Sequence, residues 1–385
     1  MANRYPIDPV EITQALIRRP SVTPNDAGAL GVLEDALRPM GFVCHRLPFS
    51  APGTPDVDNL YARFGTGGAN LCFAGHTDVV PVGDETAWTH PPFGAEIHDG
   101  VLYGRGAVDM KTGIGCFVAA VSRFLAEAGG DFTGSLSFLV TGDEEGPAIN
   151  GTIKVLDWMR RNGETMDACI VGEPTNTDTL GECIKIGRRG SMNGFITQRG
   201  VQGHVAYPHH ADNPIPKLVR LVNALIGEPL DNGTDHFQPS NLEITSIDTG
   251  NSAVNVIPNA ARAQFNVRFN DLHTPASLQA LIRERLKDAG DNYDLAFQVS
   301  GEAFLTPPGR LSEVMAAAVR TVTGREPELS TSGGTSDARF IKDHCPVAEF
   351  GLMNAYAHKV DERARVDDIR ALADIYHEMI RGFFA

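Results

Sequence analysis

Three short apolar runs in the first half of the chain constrain its fold more than any other feature. Residues 69–75 (ANLCFAG), 134–141 (GSLSFLVT) and 167–171 (DACIV) predict buried strands. Between them, residues 111–126 and 150–161 carry apolar side chains at helical spacing. Strands that alternate with helices are typical of a largely parallel sheet covered by helices, so we predict an α/β fold.

The pattern changes downstream of the third apolar run. Strand-like alternation and helical periodicity both occur there, at 194–198, 261–269, 214–226 and 275–289. From about residue 297 the α/β pattern returns, and it closes with an amphipathic helix at 367–383. We therefore predict a large domain of residues 1–181 and 297–385, interrupted by a smaller α+β domain of residues 182–296.

The charge of the chain limits its partners. With 33 Lys and Arg against 48 Asp and Glu, the formal net charge is -15. Such a surface repels nucleic acid and anionic lipid, which favours a small molecule or a peptide as the partner. No run of about 18 uncharged apolar residues predicts a membrane span.

The cysteines and the first residues indicate the compartment. The six cysteines contain no CxxC pair, and they predict neither a disulfide framework nor a thiolate zinc site. The first twenty residues lack the apolar segment of a secretory signal. We therefore expect a cytoplasmic protein with reduced thiols.

The first candidate site residues follow the first predicted strand. His76 and Asp78 lie two positions apart, and on an extended backbone this spacing points both side chains to the same side. The arrangement suits a histidine metal ligand whose second ring nitrogen is held by a carboxylate. The alternative is a structural histidine that is hydrogen-bonded at the end of a strand.

Asp109 lies in a glycine-rich turn, GRGAVDMK, that leads into a predicted helix. The turn has the spacing of neither a dinucleotide fingerprint nor a phosphate loop. Asp109 is therefore a candidate metal ligand, but capping the following helix is a more common role for an aspartate at this position.

Further carboxylates follow the next two predicted strands. The turn GDEEG contains Glu144 and Glu145, and Glu173 lies in GEP after the strand that ends near residue 171. The simple interpretation of such a turn is a solvated acidic loop. A divalent cation would instead turn the mutual repulsion of these carboxylates into attraction, and adjacent glutamates can then divide the roles of ligand and general base.

Together with His358 near the last helix, these residues form an ordered set: His76, Asp109, Glu145, Glu173 and His358. Mixed imidazole and carboxylate ligands without thiolates suit catalytic zinc. A site with this many ligands can hold two metal ions, with one carboxylate bridging them. The ordered set is far more specific than any of its members.

At these residues the sequence resembles the M20 family of co-catalytic zinc peptidases and deacylases, over nearly the full chain. Four further segments strengthen the resemblance: 142–152 (GDEEGPAINGT), 187–191 (GRRGS), 202–209 (QGHVAYPH) and 333–339 (GGTSDAR). The family fold implies a zinc-peptidase-like catalytic domain, with a mostly parallel central sheet flanked by helices. It also implies that the inserted domain makes a homodimer.

The resemblance implies a role for each candidate residue. Asp109 would bridge two Zn²⁺ ions per subunit, one of which Co²⁺ could replace. One ion would also take His76 and Glu173, and the other Glu145 and His358. Glu144 would be the general base, with Asp78 behind His76. His204 would reach the site of the partner subunit and stabilise the oxyanion.

The implied reaction is attack on an amide carbonyl by a water that the zinc pair activates, with Glu144 taking its proton. The segments near the predicted pocket favour release of succinate from N-succinyl-LL-2,6-diaminopimelate. Another deacylase or peptidase of the family, such as one acting on N-acetylornithine, is the alternative, and so is a metal-free binding relative. The resemblance places the substrate contacts at Arg188, Ser191, Tyr207, Asn255, Arg268, Thr335 and Asn354.

Overall fold

The computed structural model describes residues 6–129 and 132–385, and these form two compact units. The larger unit contains the described residues up to Ile186, together with Thr306–Ser330 and Ser336–Ala385. The smaller unit contains Gly187–Leu305 and Thr331–Thr335. The smaller unit is therefore formed by one long insertion and one short insertion in the larger unit.

The larger unit is built around an eight-stranded mixed sheet. Its central strand, Asn70–His76, runs parallel to both neighbours, Ser135–Thr141 and Ala168–Val171. Every residue of these three strands is buried, as expected for parallel strands that are covered on both faces. From one edge to the other the strands are Val43–Arg46, Leu60–Phe64, Ser135–Thr141, Asn70–His76, Ala168–Val171, Val347–Glu349, Cys183–Lys185 and Glu328–Ser330.

Helices cover this sheet and form its core with it. Phe117, on the helix Lys111–Ala128, stacks on Phe73 of the central strand with ring centroids 4.4 Å apart. Tyr376, on the last helix, packs edge-on against both rings. The helices of the unit are Pro9–Ile17, Ala29–Leu37, Lys111–Ala128, Thr152–Arg161, Arg310–Thr323, Ala338–Ile341 and Val366–Phe384.

Among the described residues, none of the helices combines the length and the apolar character needed to span a membrane. Short 3₁₀ turns lie at Arg38–Met40, Glu85–Ala87, Pro208–His210 and Asn354–Tyr356.

A small antiparallel sheet of the larger unit joins distant parts of the chain. The strands Glu96–His98 and Val101–Tyr103 form a hairpin, and Arg363–Arg365 pairs with the second of them. Asp99 and Gly100 make the two-residue turn with φ of 50° and 74°, which matches the type I′ turn that a tight hairpin favours. This sheet ties the segment after His358 to the segment before Asp109.

The smaller unit is an antiparallel sheet with two helices. In order, its strands are Asn241–Asp248, Ala260–Phe269, Gly190–Arg199 and Tyr293–Gly301. The helices Pro214–Ile226 and Pro275–Leu286 contribute Leu218, Leu221 and Ile282 to a core around Phe265. Short strand pairs join Gly187–Arg188 to Phe304–Leu305 and Gly203–His204 to Val256–Ile257.

The unit boundaries differ by several residues from the predicted positions 182 and 296. Cys183–Lys185 forms a strand of the large sheet, where it pairs with Glu328–Ser330, so the first boundary lies after Ile186. Tyr293–Gly301 pairs with Gly190–Arg199 in the small sheet, so the second boundary lies after Leu305. Strand pairing between distant segments, which local patterns do not reveal, sets both positions.

Candidate metal centre

The candidate ligands of the larger unit follow the ends of neighbouring strands. His76 ends the central strand, the turn with Glu144 and Glu145 follows Ser135–Thr141, and Glu173 follows Ala168–Val171. Because these three strands are parallel, their carboxyl ends meet at one edge of the sheet, where open α/β sheets place their ligand sites. The sheet therefore brings histidine and carboxylate side chains together from three separate segments.

Asp109 lies between two histidines and contacts both. Its Oδ1 is 3.1 Å from Nε2 of His76, and its Oδ2 is 3.1 Å from Nε2 of His358. Each histidine also faces a glutamate: Oε1 of Glu173 lies 3.7 Å from His76, and Oε1 of Glu145 lies 2.8 Å from His358. The two oxygens of one carboxylate thus face two different histidines, and Glu145 lies near both of them, since its ligand atom is also within 4.8 Å of those of His76 and Asp109.

Asp109 does not cap the helix that follows it. Met110 is the N-cap residue of Lys111–Ala128, and no side chain caps that helix. The carboxylate of Asp109 instead points at the two histidines, and the peptide bond between Asp109 and Met110 is cis. The capping alternative is therefore wrong.

Two glycines allow the backbone around Glu173 to pack closely. A Cβ at Gly113 would lie 2.5 Å from the carbonyl oxygen of Gly172, and a Cβ at Gly351 would lie 2.4 Å from that of Glu173. Both distances are shorter than any side chain tolerates. The first turn of the helix after Asp109 and the end of the strand Val347–Glu349 can therefore approach the Glu173 segment.

The charges of the centre shift its pKa values strongly. Burial disfavours the ionised form of Glu173 and raises its pKa well above the ordinary value, and the charge of Asp109 adds to this effect. Hydrogen bonds to Asp109 and Glu145 raise the pKa of His358 to about 10. Although burial acts in the opposite direction, the hydrogen bonds from His358 and His76 hold the pKa of Asp109 low. The carboxylates around the two imidazoles therefore favour positive charge at this position.

Glu144 lies near the first histidine: one ligand atom each of His76, Glu144 and Glu173 lie within 4.8 Å of one another. Burial raises the pKa of Glu144 to about 8, and the carboxylates of Asp337, Glu145 and Asp109 contribute in the same direction against the opposing charge of His76. Without a cation nearby, the surroundings of Glu144 therefore favour its protonated form.

Asp78 is buried and organises the backbone rather than the ring of His76. The nearest partner of Nδ1 of His76 is the main-chain carbonyl of Asp78 at 2.9 Å, whereas Oδ1 of Asp78 is 3.6 Å away. The carboxylate of Asp78 accepts hydrogen bonds from the backbone N–H groups of Glu144 and Glu145 and from Oγ1 of Thr23. It therefore fixes the turn that carries both glutamates.

A buried ion pair between Arg105 and Glu362 joins three segments of the centre. The two side chains lie 2.8 Å apart and are almost completely buried. Oε1 of Glu362 accepts hydrogen bonds from the backbone N–H groups of Val108 and Asp109, at 2.8 and 3.0 Å. Glu362 thereby holds the loop that presents Asp109.

Arg105 connects this loop to the segments of the two histidines. Its guanidinium donates to the carbonyl oxygens of His358 and Lys359, at 3.4 and 3.2 Å, and to that of Pro81 at 3.3 Å. It also lies over the ring of Trp88, with its Cζ 5.2 Å from the ring centroid. His358 itself has φ of 62°, a conformation that a side chain adopts at a cost and that is frequent at functional sites.

The predicted substrate contacts lie mainly in the smaller unit, in two groups. In the sheet, Ser191 and Arg268 are paired on neighbouring strands, and Nδ2 of Asn266 donates to the hydroxyl of Ser191 while its Oδ1 accepts from Nε of Arg268. Arg188 is buried and donates to the carbonyl oxygen of Ser332, in the short segment that also contains Thr335.

The second group is exposed. His204 and Tyr207 have ring centroids 5.7 Å apart, and the carbonyl oxygen of Asn255 accepts the backbone N–H of Val205. Asn354 lies in the larger unit, where it begins the 3₁₀ turn that precedes His358. The predicted metal ligands, the predicted base and Asp78 thus lie together in the larger unit. The predicted substrate residues lie in the sheet of the smaller unit, in its exposed segments and, for Asn354, in the larger unit.

Sequence reasoning missed Arg105, Glu362 and Thr23. Arg105 is visible only as the residue between Gly104 and Gly106, and Glu362 follows His358 by four positions without a recognisable spacing. Their hydrogen bonds join positions up to 257 residues apart. The one local signal was the pair of glycines, which marks a turn in which the backbone is tightly constrained.

Comparison with known proteins agrees with this arrangement. Residues 72–382 match the model of peptidase family M20/M25/M40. The chain is 62% identical over 378 residues to a succinyl-diaminopimelate desuccinylase of Rhodospirillum centenum, covering 98% of each chain. It is 58% identical to a protein of the same name from Parvibaculum lavamentivorans, covering 99% of this chain and 96% of the other.

Solved structures show the same fold at low sequence identity. An M20 metallo-carboxypeptidase from Sulfolobus solfataricus superimposes with a TM-score of 0.77 at 17% identity, covering 98% of this chain and 99% of the other. A dinuclear metal-binding M20 peptidase from Bacillus subtilis gives a TM-score of 0.65 at 15% identity, covering 96% of each. The matched segment and the full-length relatives show that this chain belongs to peptidase family M20/M25/M40.

Proposed function

We propose that this chain is a dinuclear metal hydrolase that cleaves N-succinyl-LL-2,6-diaminopimelate into succinate and LL-2,6-diaminopimelate, a step of lysine and diaminopimelate biosynthesis. The observation that carries the chemistry is the position of Asp109, whose two oxygens face two different histidines. The relatives that share 56–62% of their residues with this chain and bear the desuccinylase name support the substrate.

The donor set fits two zinc ions. His76 and Glu173 would hold one ion and Glu145 and His358 the other, with Asp109 contributing one oxygen to each. Imidazole and carboxylate donors without thiolates suit catalytic Zn²⁺, and they also accept Co²⁺ at one position. The Bacillus subtilis neighbour, which is described as binding a dinuclear metal, supports this assignment.

A bound metal pair would supply positive charge that acidifies a water molecule and polarises the amide carbonyl. Glu144 would accept the proton from that water and return it to the leaving amine, as a general acid–base residue does. Asp78 keeps the Glu144 backbone in place through its hydrogen bonds to the turn. His204 would donate a hydrogen bond to the developing oxyanion.

The smaller unit offers cationic and polar groups for a substrate with several carboxylates. Arg188 and Arg268 are local exceptions in a chain of net charge -15, and guanidinium groups bind carboxylates in a defined geometry. Ser191 lies opposite Arg268 on the neighbouring strand, so the two present a combined donor surface. Tyr207, Asn255, Thr335 and Asn354 complete the proposed contacts.

We also propose a cytoplasmic homodimer. All six cysteines are free thiols, which fits a reducing compartment. The smaller unit exposes apolar side chains on one helix, Ile215, Val219 and Ile226, and on the outer strand of its sheet, Ile247. Exposed apolar groups on a helix and an unpaired sheet edge are features that a second copy would cover.

The substrate assignment is tested with a panel on the purified protein loaded with zinc. We expect kcat/KM for N-succinyl-LL-2,6-diaminopimelate to exceed that for N-acetylornithine by at least about tenfold, because the guanidinium groups should select the extra carboxylates. A preference for N-acetylornithine would contradict the assignment. Binding of the succinylated substrate without turnover, in a protein free of zinc, would favour the binding relative instead.

Replacing Glu144 with Gln separates base from ligand. We expect zinc content to stay near two ions per chain while kcat falls by about 10²–10⁴-fold, the range for loss of a general base. The matched control is Glu145→Gln, which makes the same change one residue away and should lower zinc content, because Glu145 contacts His358. Activity of Glu144→Gln near that of the wild type would refute the base role.

Replacing Glu362 with Gln tests whether the buried ion pair positions the ligands. The carboxamide that replaces the carboxylate carries no charge, so Arg105 loses its ionic partner. We expect the affinity of the protein for zinc, measured by chelator competition, to fall by about 10- to 100-fold. The matched control is Glu164→Gln, which removes the carboxylate paired with Arg63, 2.6 Å away. If Glu362→Gln and Glu164→Gln bind zinc with equal affinity, Glu362 does not position the ligands. Thermal unfolding of both variants is measured alongside, so that a loss of stability is not mistaken for a loss of zinc affinity.

Mixing two inactive variants tests the dimer and the role of His204. If His204 serves the partner's site, random exchange of His204→Ala with Glu144→Gln subunits should restore about a quarter of wild-type activity, because half of the dimers are mixed and each mixed dimer has one complete site. Absence of any recovery, with subunit exchange verified by mass spectrometry, would argue that His204 acts within its own chain.

A further inference from the structure

A second cluster of metal-ligating side chains lies in the larger unit and shares no residue with the dinuclear centre. It consists of His90, Glu96 and His98, whose ligand atoms all lie within 4.8 Å of one another. We propose that these three side chains form an additional binding site for a divalent transition-metal cation such as Zn²⁺ or Cu²⁺.

The contacts converge on one carboxylate oxygen. Oε2 of Glu96 lies 2.9 Å from Nε2 of His98 and 3.5 Å from Nδ1 of His90. The two imidazole rings stack with their centroids 3.9 Å apart and their planes 13° from parallel. Both histidines thus present a nitrogen to the same side of Glu96.

The hairpin holds two of the ligands in place. Glu96 and His98 lie two positions apart on one strand, so their side chains leave the same face of the small sheet. The strand is closed by the tight turn at Asp99 and Gly100 and is paired along its length with Val101–Tyr103. Pairing therefore fixes the backbone positions of both ligands.

The third ligand is held from two sides. The ring of Tyr103 packs against His90 with centroids 4.5 Å apart. The preceding residue, Thr89, donates its backbone N–H and its hydroxyl to the two carboxylate oxygens of Asp361, both at 2.7 Å. Contacts within the protein therefore position His90 beside the hairpin, and no metal ion is needed for this.

The donor types select the class of cation. Two imidazoles and one carboxylate suit Zn²⁺, Cu²⁺ and Ni²⁺, whereas Mg²⁺ and Ca²⁺ prefer sites built from oxygen atoms. The hydrogen bond from His98 lowers the pKa of Glu96, which keeps this ligand ionised. Three protein ligands leave a coordination position for water.

The site is open to solvent. The side chains of Glu96 and His98 are 43% and 48% exposed, so a cation can enter directly. In the stacked arrangement both rings are nearly parallel, and the half-exposed side chain of His98 has room to reorient when a cation enters.

Zinc stoichiometry of the full chain tests the proposal. Wild-type protein and the variants are dialysed against a series of free Zn²⁺ concentrations, and bound zinc is measured by mass spectrometry. The test variants are the double substitution His90→Ala with His98→Ala, and Glu96→Gln. The control is His209→Ala with His210→Ala, which removes two exposed neighbouring imidazoles, 4.1 Å apart, from outside the cluster.

We expect the wild type and the control to bind one zinc ion more per chain than the double variant, and Glu96→Gln to require a higher free Zn²⁺ concentration for that ion. The difference between variants is the readout, so the result does not depend on how many ions the dinuclear centre takes. Equal stoichiometry in all four proteins would overturn the proposal, because the cluster would then be a hydrogen-bonded group only.

A spectroscopic measurement on protein that holds only enough zinc for the dinuclear centre gives an independent check. One equivalent of Cu²⁺ should produce an electron paramagnetic resonance spectrum with coupling to two imidazole nitrogens in the wild type, and this coupling should be lost in the double variant. The same spectrum in the double variant would place the copper elsewhere and contradict the assignment.

Discussion

The rest of the centre depends on the contact of one carboxylate with two histidines. Asp109 directs Oδ1 at His76 and Oδ2 at His358, and each histidine has a glutamate of its own. Carboxylates this close repel one another, and burial increases that cost, as the raised pKa values of Glu144 and Glu173 indicate. Only positive charge between them makes the arrangement favourable, and this requirement is what links the fold to metal-dependent hydrolysis.

The fold meets this requirement by supporting the ligands from behind. Asp78 binds the backbone of the glutamate turn, and Glu362 binds the backbone of the Asp109 loop. Arg105, paired with Glu362, reaches the carbonyl oxygens of the His358 and Pro81 segments. Asp78, Glu362 and Arg105 are buried, and each forms hydrogen bonds to a segment that carries or adjoins a ligand. The positions of the ligands therefore depend on the local fold around them.

Much of this could be predicted from the sequence, because the strands that carry the ligands are strongly apolar. The run at 69–75 is observed as Asn70–His76, and the run at 134–141 as Ser135–Thr141. The α/β class follows from these runs, whereas the family and the candidate ligands are predicted from the ordered His, Asp, Glu, Glu and His motifs and from the resemblance that they carry. The capping alternative for Asp109 was reasonable, since only the path of the loop shows where the carboxylate points.

The remainder could not be predicted, because it depends on contacts between distant segments. Glu362 meets the Asp109 backbone across 253 positions, and no local pattern encodes such a contact. The boundary after Ile186 is set by the pairing of Cys183–Lys185 with Glu328–Ser330. His90 and His98 come together through a hairpin and a neighbouring loop, and in the sequence they resemble ordinary surface histidines.

The most direct measurement of the central claim is anomalous scattering at the zinc absorption edge from crystals of the zinc-loaded protein. The account predicts two strong peaks flanking Asp109, one beside His76 and Glu173 and the other beside Glu145 and His358. A single peak that does not touch Asp109, or no peak among these side chains at full zinc loading, would contradict it.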